Sequence, residues 1–214
     1  VKPILHPILF SAPMVRALLA GTKTQTRRPM KPAPDADVDG VLASFATDVT
    51  GARAGFAAWF FHDQEPGPAI LCPYGGPGHR LWVREAWARD DADGQLLYRA
   101  DVGQGGEADD WDIQRRDGVP GYRWKPSIHM PRSACRIELE ITDVRVERLQ
   151  AISVGDAMAE GVTSADAAGL PSTDDNGWKP IDAYRQLWDT INMPATQWRN
   201  NPWVWVVEFR RLTP

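Results

Sequence analysis

The sequence predicts an α+β fold: a small β-barrel of about six strands with short flanking helices and long loop insertions. Period-two apolar runs recur at residues 80–88, 136–148 and 203–212, which is the signature of strands. Helical periodicity is confined to short stretches at residues 12–20, 153–160 and 180–192. The rest is rich in turn formers, with 18 Gly and 18 Pro among 214 residues. That length fits one domain over residues 1–214, with insertions at about 32–79, 101–120 and 162–179. It is enough to bury a core without staples.

Val1 to Phe10 is a short apolar lead-in interrupted by Pro3 and Pro7, the pattern of an edge strand. Ser11 is placed as an N-cap with Pro13 in the first helical turn, where a missing N–H costs little. Met14, Val15, Leu18 and Leu19 form one helical stripe, which Gly21 ends. Thr22 to Arg28 is threonine-rich and extended, and Pro29 breaks it. Residues 32–79 are rich in Ala, Asp, Gly and Pro and read as an excursion. A short strand or helix is expected inside it, at the apolar island Phe56–Phe61. Cys72 to Gly78 is turn chemistry. Arg80–Ala88 and Gln95–Ala100 read as a hairpin whose longer loop holds Asp90, Asp91, Asp93 and Gly94. Residues 101–120 form an acidic, Gly-rich loop.

From Arg136 to Arg148, Ile137, Leu139 and Ile141 share one face, while Val144 and Val146 fall out of phase. A bulge near Thr142 and Asp143 would restore them. Ser153–Glu160 is a short helix ended by Gly161, and residues 162–179 are loop. Pro180–Asn192 is an amphipathic helix carrying Ala183, Tyr184, Leu187, Trp188 and Ile191. The last strand, Trp203–Leu212, places Trp203, Trp205, Val207 and Phe209 on one face.

The charge balance is 24 Lys and Arg against 28 Asp and Glu, a net charge of −4. That excludes a protein that coats nucleic acid by bulk charge, but leaves a local basic patch open. Two cysteines cannot make a disulfide framework, so the cytoplasm is the expected compartment. No apolar run approaches the roughly 20 residues that span a bilayer, and no signal-peptide core is found at the N-terminus. No membrane partner is therefore expected, and no protein partner can be inferred. Cys72, His79, His129 and Cys135 lack the paired short spacing of a zinc site, and His6 and His62 stand alone. No metal or other cofactor is expected. Phosphate-cradling loops, dinucleotide fingerprints and nucleophile elbows are not found in the sequence.

Three segments carry chemistry. Lys23, Arg27, Arg28 and Lys31 follow Gly21, with no acid anywhere between Val1 and Pro34. A helix stopping at Gly21 puts Lys23 in the turn, while Thr26 and Arg28 share a strand face. A lysine in a partly closed pocket can lose its proton and act as a base, or polarise a hydroxyl; a solvated basic strand is the other reading. In the second segment, strand parity sets Glu85 with Leu81, Val83 and Trp87 on a core-facing row that also leaves Trp82 and Arg84 on the opposite face. A buried carboxylate needs a cationic partner or stays protonated, so Glu85 is either a proton-transfer group or one half of an ion pair with Arg28. The third segment, Gly121 to Arg132, interleaves Arg123, Lys125 and Arg132 with Tyr122 and Trp124, and Ser127 adds a hydroxyl. Such interleaving can grip a phosphate while stacking a base, or Trp124 can simply plug the barrel end. Together the basic segments would form one electropositive cleft, with the acids segregated around Asp90 and Asp110.

Gly21-Thr-Lys-Thr-Gln-Thr-Arg-Arg28 resembles the Gly-x-Lys-x-x-(Glu/Thr)-x-Arg signature of ASCH domains, members of the PUA-like barrels. Three further blocks are similar to phage and prophage members of that family: Pro77–Glu85, Trp124–Arg132 and Asn201–Phe209. The resemblance implies a small barrel whose cleft takes a nucleoside, a nucleotide or single-stranded RNA, with DNA also admitted. One bacterial branch hydrolyses N(4)-acetylcytidine, and by similarity to it Lys23 would be the proton acceptor, Thr26 the nucleophile and Glu85 the proton donor. Arg27, Arg28, Trp82, Arg84, Tyr122, Trp124, Lys125, Ser127 and Arg132 would bind the substrate. Two alternatives stay open. In a metal-independent ribonuclease, Lys23, Arg28, Lys125 and Arg132 would stabilise phosphorane charge. In a non-catalytic RNA or modified-base reader of phage origin, Trp82, Tyr122 or Trp124 would stack the base.

Overall fold

The computed structural model describes residues 4–34, 38, 40–46, 55–89, 94–101, 124–163 and 179–212. Asp90, Asp91, Asp93, Tyr122 and Arg123 lie outside these residues, as do positions 102–120 of the loop expected at 101–120 and positions 164–178 of that expected at 162–179. The order of elements is β1 (Leu5–Leu9), α1 (Ala12–Ala20), β2 (Gln25–Pro29), β3 (Gly40–Ala46), β4 (Gly55–His62), β5 (Glu65–Pro66) and β6 (Ile70–Leu71). Then come β7 (Arg80–Arg84), β8 (Trp87–Arg89), β9 (Leu96–Tyr98), β10 (Glu138–Arg148), α2 (Val154–Ala159), α3 (Pro180–Ile191) and β11 (Trp203–Leu212). The fold is α+β.

The main sheet has five strands in the order β1-β7-β10-β11-β2, with β1 parallel to β7 and the other pairs antiparallel. None of the sheets among the described residues closes into the barrel that the sequence suggests. Proline supplies a physical reason. Phe10 donates its N–H to the Arg84 carbonyl and Met30 donates to that of Trp203. Alternation along each strand then turns Pro7 and Pro29 toward the free edges of β1 and β2, where neither has an N–H to offer. A side chain bridges the seam instead: Arg28 Nη2 donates to the Leu9 carbonyl at 2.6 Å.

β11 is buried on both faces. Trp205, Val207 and Phe209 join Ile8, Leu81, Val83, Leu139 and Ile141 in the main core. Val204 and Val206 face the other way, onto Tyr184 and Trp188 of α3 and Ala157 of α2. A strand covered on both sides reads as a continuous apolar run, which is why the alternation visible in its sequence describes only one of its two cores. The expected bulge is present in β10, where the register shifts between Ile141 and Asp143 and returns Val144 and Val146 to the main core.

The stretch read as a loop excursion holds four strands. All of β3 pairs antiparallel with Gly55–Phe61 of β4, β5 and β6 pair with β4, and Phe56, Ala58 and Phe60 enter the main core. Phe56 and Phe60 meet Trp205 and Trp203 edge-on, with ring centroids 6.5 and 5.2 Å apart. The abundant Gly, Pro and Asp around these strands mask them in the sequence. The strand expected over Arg80–Ala88 also breaks in two, because Glu85 leaves the ladder and β8 turns away to pair with β9.

Candidate functional site

α1 ends as its sequence indicates: Gly21 takes the left-handed conformation at φ 77° and its N–H returns to Leu18. Ser11 is the N-cap residue, although its side chain makes no capping bond. The turn delivers Lys23 beneath α2. There Lys23 Nζ donates to Glu160 twice, to Oε2 at 2.9 Å and to the backbone carbonyl at 2.8 Å. The Lys23 side chain is wholly buried, and its ammonium also lies 5.6 Å from the Phe10 ring centroid. Burial pushes the Lys23 pKa below its usual value; the Glu160 charge and hydrogen bond oppose the shift, while Arg28 and Arg27 reinforce it. Lys23 is thereby brought closer to acting as a neutral base. Between the lowered pKa and 10.5 the folded protein has released this proton and the unfolded chain has not, so this group makes stability rise with pH across that window.

Glu160 caps the C-terminus of α2, and Gly161 follows at φ 87°. A Cβ on Gly161 would sit 3.0 Å from the Cβ atoms of both Ala17 and Lys23. Gly161→Ala therefore combines a left-handed backbone with a forced contact, and a loss of about 2 kcal/mol is expected in urea unfolding. An unchanged midpoint would show that the α2 terminus yields freely.

Thr26, Arg27, Arg28, Ser127 and Glu160 line one cleft of about 250 Å³, together with Phe10 from the end of β1 and Tyr184 and Trp188 from α3. The cleft occupies the open seam between β1 and β2, which is the consequence of the unclosed sheet. Lys23 lies behind it, held to Glu160. Burial raises the Tyr184 pKa well above the ordinary phenol value, and the Glu160 charge adds to the shift, so this hydroxyl stays protonated. Asp156 helps position α2. It forms a capping box with Ser153, and Arg27 and Arg145 lie against its carboxylate. Burial opposes its charge, but these bonds outweigh that and hold its pKa at about 2. Its stabilising contribution is therefore complete above pH 3.8 and is lost as pH falls toward 2.

Glu85 sits elsewhere. Its row is buried as strand parity requires, with Glu85 itself 1% exposed. Its partner is Arg136 rather than Arg28: Nε and Nη2 donate to the two carboxylate oxygens at 2.9 and 3.0 Å. Arg136 grips Asp101 with Nη1 and Nη2 and stacks 3.9 Å from the Tyr98 ring centroid. Arg28 is occupied by Leu9 and by the Phe10 ring. The ion pair expected with Arg28 is thus made with Arg136 instead, whose side chain reaches Glu85 across 51 residues.

The third segment is divided. Ser127 reaches the cleft, whereas Lys125 pairs by backbone with Trp87 and lays its ammonium 4.8 Å from that ring centroid. Trp124 packs near Arg99. On the outer face of β7, Trp82 has the Arg84 guanidinium at 5.3 Å and that of Arg132 at 5.8 Å, forming a second cationic group. Arg84 also bonds the Ile128 carbonyl, and Arg132 pairs with Glu138. One electropositive cleft is therefore not what these residues build.

His6, read as isolated, stacks on His79 with Nε2 3.2 Å from Nδ1. Cys72 is buried and its thiol pushed up to about 12. No group of three potential metal ligands converges among the described residues, and no helix there is long and apolar enough to cross a membrane. Glu160 is the site residue that sequence reading passed over. A signal was present, since an acid in the last turn of a helix opposes the macrodipole and needs a compensating partner. Comparison with protein-family models, curated proteins and solved structures finds no match to this chain.

Proposed function

We propose that the chain is a hydrolase of N-acylated nucleosides, N(4)-acylcytidine in particular, acting through Lys23, Thr26 and Glu160. The observation that carries this reading is the buried Lys23–Glu160 pair, whose Glu160 lines the same cleft as Thr26. A nucleophile, a base and an acid are the parts an amide hydrolase needs. Neutral Lys23 takes the Thr26 proton as the Thr26 oxygen attacks the acyl carbon. The C–N bond then breaks, and the nitrogen leaves with a proton passed from Lys23 through Glu160. Water cleaves the resulting threonine ester, Lys23 accepts its proton, and Thr26 regains its own. The products are a carboxylic acid and the free amine. A cleft of about 250 Å³ lies just below the size range of drug-like ligand sites, which suits a nucleoside better than a large substrate.

Membership of the ASCH group, with its PUA-like barrel, belongs to the same proposal. It is supported by the order of the four sequence blocks and by the Arg28–Leu9 bridge across the unpaired seam. A base reader is the second reading, favoured by Trp82 with two guanidinium groups near its ring. Incubation of the protein with N(4)-acetylcytidine, followed by chromatography for cytidine, separates the two. The hydrolase predicts turnover whose rate rises with pH through the lowered Lys23 pKa, because only the neutral amine is a base. Binding without turnover would leave the reader.

A further inference from the structure

Arg28 stands apart from the other cations of this region. Lys23 is held by Glu160, and Arg27 is buried among Glu147, Asp156 and Glu160. Arg28 meets no carboxylate among the described residues: Nη2 donates to the Leu9 carbonyl, and the guanidinium lies 5.2 Å from the Phe10 ring centroid. Neither contact neutralises its charge. Alternation along β2 sets Arg28 on the same strand face as Thr26, and both residues line the cleft. Thr26 is 3% exposed, and its hydroxyl has no hydrogen-bond partner among the described residues. Beside Arg28 the chain enters α1. Leu9, Phe10, Ser11 and Met14 line the same cleft, so the first turn of this nine-residue helix borders it. The Ser11 side chain makes no capping bond, Pro13 has no N–H, and the first turn carries no acid. The N–H groups of Ala12 and Met14 and the positive end of the macrodipole are therefore left without a partner among the described residues. A cation from β2 and a helix N-terminus thus meet at one corner of the cleft, and no acid answers either.

We infer that this corner is a phosphate site, so that the ligand of the cleft is a nucleotide rather than a bare nucleoside. The inference deepens the cytidine reading above and rests on it for the base alone. A phosphate group presents acceptor oxygens on several sides and takes the N–H groups of a helix first turn and a guanidinium together. A neutral acyl or base carbonyl would leave the Arg28 charge uncompensated. Ser11, exposed at the mouth, and Ser127 from the opposite segment add hydroxyl donors. The exposure of Ser11 keeps the phosphate at the mouth, which leaves the interior of a cleft of about 250 Å³ to the nucleoside.

The test is calorimetry on the full chain with cytidine, cytidine 5′-monophosphate, cytidine 3′-monophosphate and inorganic phosphate. At least one monophosphate is expected to bind about tenfold or more tightly than cytidine, with an advantage that shrinks as salt rises. Ser11→Asp puts a carboxylate at the N-cap, where it favours the helix while taking the place of the phosphate. That variant should lose the advantage in a protein as stable to urea as the unmodified one. Arg28→Gln should lose it as well; should that variant fail to fold, because Arg28 also bridges the seam, Ser11→Asp alone decides. Cytidine and both monophosphates binding alike, or an advantage that survives Ser11→Asp, overturns the inference. Binding of inorganic phosphate that Ser11→Asp abolishes, with no binding of cytidine, removes the cytidine reading and keeps the phosphate site. Turnover of N(4)-acetylcytidine reports on the hydrolase separately, since none of these ligands carries an acyl group.

Discussion

Glu160→Gln and Lys23→Ala are each expected to lower kcat for N(4)-acetylcytidine by at least ~100-fold, the usual scale of general acid–base catalysis. Gln keeps the size of Glu160 and can still accept a hydrogen bond from Lys23, so circular dichroism should report a folded protein. It cannot carry a proton to the leaving nitrogen. Glu85→Gln is the informative contrast, because its two oxygens are occupied by Arg136 and it does not line the cleft. That variant should retain turnover within a few-fold. The reverse pattern, with Glu85→Gln dead and Glu160→Gln active, would return the proton donor to the position suggested by family resemblance. It would also require a rearrangement that brings Glu85 to Thr26.

Arg136→Ala is expected to cost about 3–5 kcal/mol in urea unfolding, the range for removing one partner of a buried ion pair. Glu85, 1% exposed, would be left with neither its salt bridge nor its paired hydrogen bonds. The lower end of that range is the better expectation, since the Arg136 side chain is 25% exposed and water can enter. The double variant Glu85→Met, Arg136→Met should recover most of the loss, because an apolar pair needs no compensation. A cost below about 1 kcal/mol for Arg136→Ala would place this pair among the weak surface bridges. Arg136 also packs on Tyr98, whose hydroxyl donates to the Ala134 carbonyl, so the variant loosens the 124–134 segment that carries Ser127.

Local signals were legible in residues that answer to their neighbours along the chain. Gly21 and Gly161 both adopt the positive φ that a helix stop requires. The phase slip between Ile141 and Val144 announced the bulge that β10 contains. Glu85 was correctly read as buried, since its row is apolar on either side of it. β3 and β4 were not legible as a sheet, because a hairpin carrying Phe56 and Phe60 is recognised as core only when Trp203 and Trp205 are in place against it.

Residue types, helix ends, the strand phase of each segment and the presence of a buried carboxylate on Glu85 follow from the order of amino acids, because backbone preference and side-chain period act over a few residues. Which charges meet does not. Lys23 finds Glu160 across 137 residues and Glu85 finds Arg136 across 51. Burial makes each unpaired charge costly, and tertiary packing decides which opposite charge is near enough to relieve it. The site in the open seam arises the same way: Pro7 and Pro29 are local features, but only the packed sheet brings the edges that carry them face to face, with a cleft between.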